Sequence, residues 1–158
     1  MKIKLITIGS DVSNVFKSIE DEYIKRIIRY NDFELISLKD PAKGKKVSID
    51  ELKKMEGKLI TSVIKNTDKV ILLDEKGRNC GSIEFAQEIL LKEMEANTKH
   101  LLFVIGGPFG FSDEIMKRGN GKLSLSKMTF THEMVRMIFL EQLYRGMSIL
   151  KGEKYHHG

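Results

Sequence analysis

Glycines crowd one short stretch of this chain: Gly106-Gly107-Pro108-Phe109-Gly110 follows directly on Leu101–Ile105, its most apolar run. Open α/β sheets bind small molecules beyond the carboxyl ends of their strands, where glycines let a ligand approach the backbone. The spacing is neither the dinucleotide fingerprint nor a phosphate loop. Behind it, Ser112-Asp113-Glu114 opens a helix with two acids, which complement the helix dipole and oppose a bound phosphate. Such a loop suits a neutral or cationic ligand better than a nucleotide phosphate. The alternative is a tight turn with no ligand.

A second group of polar residues lies near the C-terminus. His132 and Arg136 stand four apart and share one face of a helix. At the mouth of a site, the arginine would hold a phosphate or carboxylate while the histidine hydrogen-bonds a substrate. Without a site, they are a helix-start histidine and a surface arginine. Glu141 and Arg145 have the spacing of an intrahelical ion pair. In the tail, Tyr155 and His156 follow Lys154, and such residues stack on or hydrogen-bond RNA bases, although chain ends generally fray. Cys80, His100, His132, His156 and His157 match no metal-ligand spacing, so no metal is expected.

These residues need elements to position them. Ile3–Ile8 is a β-branched run closed by Gly9-Ser10, which predicts a strand. From Asp11 to Tyr30, Val12, Val15, Phe16, Ile19, Tyr23, Ile27 and Ile28 recur at helical spacing, a one-sided helix over a sheet. Phe33–Leu38 alternates as a second strand, and a basic loop from Asp40 to Lys46 follows. Ser48 with Glu51 forms a capping box for a helix to about Lys65. Lys69–Leu73 reads as a strand buried on both faces, and Ser82 caps a helix to about Glu95. Leu101–Ile105 should be central, Ser112 caps a short helix, and Lys122–Leu125 is a brief strand. Thr131 opens a last helix that is apolar on most faces through Leu150. So small a domain has little interior for it, so a subunit interface is expected to supply its second cover, with Met137 and Leu140 in the seam. The alternation of strands and helices predicts an α/β fold with a mainly parallel sheet flanked by helices.

The composition sets the outer limits. The 158 residues make about one domain, 1–158, and 41% hydrophobic with 31% charged is ordinary for a globular chain. A formal net charge of +5 points mildly to a polyanionic partner. No apolar run is long enough for a membrane span, the N-terminus does not read as a signal peptide, and a single cysteine fits a reducing compartment. The expected location is cytoplasmic.

Several segments, taken in order, carry a family resemblance: Val70–Asp74, Val104–Gly110, Leu123–Arg136, Glu141–Arg145 and Tyr155-His156. Together they resemble the RlmH family of bacterial 23S rRNA pseudouridine N3-methyltransferases, of the SPOUT class, over essentially Met1 to His156. The resemblance implies a C-terminal trefoil knot, S-adenosyl-L-methionine as methyl donor, a homodimer, and 23S rRNA in the large subunit or 70S ribosome as substrate. Carried across residue by residue, it implies a cofactor pocket of Leu73, Gly106, Leu125, Ser126, Lys127, Met128, Thr129 and Phe130. It implies that His132, Arg136, Tyr144, Arg145, Tyr155 and His156 face the substrate. Thr131 stands where the family commonly has proline, and Gly146 where it commonly has alanine; the glycine is expected to loosen the last helix slightly. Rival readings are a tRNA methyltransferase of the same knotted class and a non-enzymatic RNA-binding module.

Overall fold

The structure is a computed structural model and describes residues 1–9 and 12–157. Ser10 and Asp11, expected in the first turn and at the start of the first helix, lie outside the described residues, as does Gly158 of the tail. The strands are β1 (Lys2–Ile8), β2 (Asp32–Leu38), β3 (Lys69–Asn79), β4 (His100–Ile105) and β5 (Gly121–Ser124). They pair in the order β2-β1-β4-β3-β5, and every pairing is parallel.

Parallel strands need both faces covered, and the alternation along each strand divides the core accordingly. On one face, Leu101, Phe103 and Ile105 of β4 join Ile3 and Leu5 of β1 under α1 (Asn14–Ile27) and α6 (His132–Leu150). On the other, Leu102 and Val104 join Ile6 and Ile8 under α2 (Ile49–Val63) and α5 (Asp113–Arg118). The remaining helix is continuous over residues 82–95. It consists of α3 (Ser82–Glu84), a π-helical segment (Phe85–Leu91) and α4 (Lys92–Glu95).

The expected caps at Ser48, Ser112 and Thr131 all form. The Ser48 side chain accepts from the Glu51 N–H while the Glu51 carboxylate accepts from the Ser48 N–H. Ser82 is not the cap it was expected to be. Gly81 holds that position, its N–H donating to Glu84, and the Ser82 hydroxyl instead bonds Gln142 of α6.

The first helix buries a different stripe from the one expected. Val15, Ile19 and Ile28 face outward, while Phe16, Tyr23, Ile24 and Ile27 pack inward. Glu20 completes that inward stripe at helical spacing and is fully buried. Its partner is Arg136 of α6, itself only 4% exposed and also bonded to the Ser37 hydroxyl of β2. Arg136 is therefore a buried tie between α6, α1 and β2 and not a surface arginine.

The last helix is also covered by its own chain more fully than its composition suggested. Met137, Phe139, Leu140, Leu143 and Met147 are core, so Met137 and Leu140 do not form a subunit seam. Gly146 marks a close approach: a Cβ there would stand 2.8 Å from Leu90 of the π segment. Packing, and not flexibility, accounts for that glycine.

Removing one partner of a buried ion pair leaves the other charge stranded, at a cost of about 3 kcal/mol or more. Arg136→Ala is therefore expected to lower folding stability by that amount in denaturant titration, whatever it does to activity. A loss under about 1 kcal/mol would mean the pair does not hold the helices together.

Candidate active site

Because all five strands run the same way, the loops leaving β4 and β5 emerge at one end of the sheet, beside a bulge within β3. They enclose a cavity of about 700 Å³, within the range of small-molecule sites. Three backbone features shape it. The register of β3 against β5 shifts between Leu73 and Arg78, so residues 74–77 bulge out of the ladder and place Asp74, Glu75 and Lys76 on the wall. An Asp74 side-chain bond to the Lys76 N–H braces this bulge. The loop Gly106–Gly110 forms a second wall, and the segment after β5, braced by Ser124 and Ser126 hydroxyl bonds, forms the third.

Of the pocket residues named from sequence, Leu73, Gly106, Leu125, Ser126, Met128, Thr129 and Phe130 line the cavity. Lys127 is exposed and does not line it. Gly106 is glycine for a reason beyond ligand approach: a Cβ there would stand 2.8 Å from the buried Phe111 ring.

His132 also lines the cavity, at the first turn of α6 behind the Thr131 cap. Burial holds its imidazole below the ordinary value of 6.5. A hydrogen bond to the Gly106 backbone opposes the shift, and the Arg136 charge adds to it. Its Nε2 is buried and has no hydrogen-bond partner. The ring is neutral and borders the cavity, with its unsatisfied nitrogen beneath the cavity surface.

The other polar residues named from sequence gather elsewhere. Arg145 donates to Glu141 at 2.5 and 3.0 Å, making the expected ion pair, and lies 3.3 Å from His156 Nδ1. The Tyr155 hydroxyl donates to the same Glu141 oxygen at 3.2 Å, and its ring packs edge-on against Tyr144 at 4.6 Å. The Arg145 guanidinium lies 4.7 Å from the centre of the Tyr155 ring. Burial, together with bonds to Tyr23 and Glu141, pushes the Tyr155 hydroxyl well above its usual range. Tyr155 and His156 are thus seated against α6.

This cluster is far from the cavity in the same chain. Arg145 lies thirteen residues along α6 from His132, about 20 Å at 1.5 Å per residue. The sequence reading missed Asp74, Glu75 and Lys76 as wall residues. The only available signal was Asp74 at the end of the Val70–Asp74 run. Among the described residues, no group of three or more His, Cys, Asp or Glu side chains converges as a metal site would require. No helix among them is long and apolar enough to cross a membrane.

A family model described as a predicted SPOUT methyltransferase matches residues 1–156. Among curated proteins, the chain is 50% identical to the "Ribosomal RNA large subunit methyltransferase H" of Cytophaga hutchinsonii, covering 99% of this chain and 100% of that protein. It is 48% identical to the protein of the same name in Flavobacterium psychrophilum and 41% identical to that of Bacteroides thetaiotaomicron, each alignment covering 99% of both chains.

The His132 environment generates a pH prediction. The folded protein resists protonation of this ring more than the unfolded chain does. Its contribution to stability is therefore complete above about pH 6.5 and declines as pH falls toward the depressed folded value, levelling below it. By NMR, the His132 ring should titrate with a midpoint below 6.5, and His132→Gln should flatten this part of the stability–pH curve. A midpoint at or above 6.5 would contradict the buried neutral ring.

Proposed function

The chain belongs to the SPOUT methyltransferase family, and from that premise we propose that it transfers a methyl group from S-adenosyl-L-methionine to N3 of a pseudouridine in 23S rRNA. The observation that carries this reading is the cavity at the converging ends of three parallel strands, within a chain similar along its whole length to proteins named as large-subunit rRNA methyltransferases.

The residues present fit the cofactor. The cavity has room for a molecule of that size, glycine backbone forms one wall, and the acids Asp74 and Glu75 share the lining with Lys53 and Lys76, so no excess of positive charge opposes a sulfonium. When bound, S-adenosyl-L-methionine supplies an electrophilic methyl group, so no nucleophilic side chain is required. The protein's work is positioning and proton handling. The acceptor is an imide nitrogen, which must lose its proton before or during transfer. His132, a neutral imidazole bordering the cavity, is the side chain suited to accept that proton once ligand binding uncovers its buried Nε2.

Arg145, Tyr155 and His156 suit the substrate side by charge and stacking, but they lie too far along α6 to reach the cavity of their own chain. This separation favours a homodimer in which one protomer's C-terminal cluster faces its partner's cavity. Exposed apolar side chains at Phe109, Met128, Phe130 and Met134, at or beside the mouth, are consistent with a second protein surface there. Arg136, buried against Glu20, supports the framework of the site and does not grip RNA phosphate. A cytoplasmic location accords with the proposed role on assembled particles.

Incubation with tritiated S-adenosyl-L-methionine and 70S ribosomes, large subunits or bulk tRNA tests this reading. Label is expected in 23S rRNA, as methyl on a pseudouridine by mass-spectrometric mapping. Label in tRNA alone would favour the rival enzyme, and no binding of the cofactor would favour an RNA-binding module. Truncation after Lys154 should leave cofactor affinity near normal and reduce methyl transfer at least tenfold. Transfer at the full rate would remove Tyr155 and His156 from the substrate site.

A further inference from the structure

Glu56 is a carboxyl group buried where nothing in the sequence pattern calls for one. It sits on α2, 4% exposed, and among the described residues no cation pairs with it. Burying a carboxyl group without a cation is unfavourable, and an apolar residue would fill the position more stably. What the side chain does touch is the loop after β4. Its carboxyl group lies against the Gly107 backbone: a Cβ at Gly107 would stand 2.1 Å from its Oε1 and 2.6 Å from its Oε2, and the Gly107 N–H favours the charged carboxylate.

At the neighbouring residue, the backbone of α2 approaches Ser112, just beyond the far end of the same loop. A Cβ at Gly57 would stand 2.6 Å from Oγ of Ser112, the cap of α5. Glu56 and Gly57 of α2 therefore flank the loop at Gly107 and at Ser112, and Pro108, Phe109, Gly110 and Phe111 between those contacts line the cavity. Pro108 breaks the loop's own hydrogen bonding, and within it only the Gly110 N–H to Gly107 carbonyl bond at 3.2 Å closes a turn. Outside contacts must then set the loop's shape. Burial and the nearby Asp40 charge raise the Glu56 carboxyl above its usual range, while the Gly107 hydrogen bond opposes them.

We propose that Glu56 is a positioning residue that holds the Gly107 backbone so that the loop Gly106–Gly110 keeps the shape that receives the methyl donor. The inference rests on the assignment of the cavity to S-adenosyl-L-methionine. Glu56 acts through the loop and touches neither donor nor acceptor.

Calorimetry with S-adenosyl-L-methionine, paired with thermal denaturation, tests it on the full-length protein. Glu56→Gln keeps a side-chain oxygen for the Gly107 N–H and should bind within about threefold of wild type, whereas Glu56→Met fills the volume without an acceptor and should bind at least tenfold more weakly. The methionine variant should also melt no lower than wild type, a combination that mere structural support does not produce. Methionine binding like wild type, or glutamine as weak as methionine, overturns the proposal. Should Glu56→Met fail to fold, Gly107→Ala provides the second measurement. It should weaken binding in the wild-type background and do so much less beside Glu56→Ala, where the added methyl group has room. Additive losses overturn the proposal. If wild type itself does not bind the cofactor, the cavity assignment falls and this inference falls with it; binding by wild type unaltered in the variants removes only the role of Glu56.

Discussion

Parallel pairing is the constraint on which the rest of this molecule depends. Parallel strands leave no face of the sheet for water, so β4, flanked by β1 and β3, must be apolar on both sides and helices must close over each. The same pairing sends every strand's carboxyl end in one direction. Two loops are thereby delivered beside the β3 bulge, and the cavity lies where they meet.

The side chains at that place are held by their surroundings to an unusual degree. Gly106 is pinned by Phe111, Gly107 by Glu56, and the β3 bulge by the Asp74 turn. His132 hangs from the first turn of α6, whose position depends in turn on the buried Arg136–Glu20 pair. A positioning enzyme needs this kind of support, because methyl transfer from an activated donor is accelerated mainly by geometry. Polar groups that a stability argument alone would remove from the core, Glu20, Glu56 and Arg136, each secure an element that borders the cavity or carries one of its residues.

The C-terminal cluster obeys a different logic. Tyr23, Tyr30, Tyr144 and Tyr155 pack on one another beside Arg145 and Glu141, and Tyr30 bonds Glu153 at 2.5 Å. The tail is therefore anchored by aromatic contacts and by a shared carboxylate. The seated tail lies at one end of α6 and the cavity at the other, separated by the length of the helix that joins them.

What the residues determined by themselves is local. Short β-branched runs, capping boxes such as Ser48 with Glu51, and the Glu141–Arg145 spacing depend on neighbours within a few positions, and these appear as read, as does the glycine loop after the central strand. The family segments likewise located most of the cavity lining. Tertiary structure alone decided matters that require contacts distant in sequence. Arg136 and Glu20 are 116 positions apart, and only the packing of α6 on α1 makes one a buried partner of the other. The helical period could not choose which stripe of α1 faces inward, because Val15 and Ile19 fit a rival stripe as well as Phe16 and Tyr23 do. Glu56 sits in an otherwise ordinary amphipathic helix, and its importance comes from a loop that begins fifty residues later. The distance from His132 to Arg145 was implicit in the length of a helix, but its meaning depended on where that helix lies against the sheet.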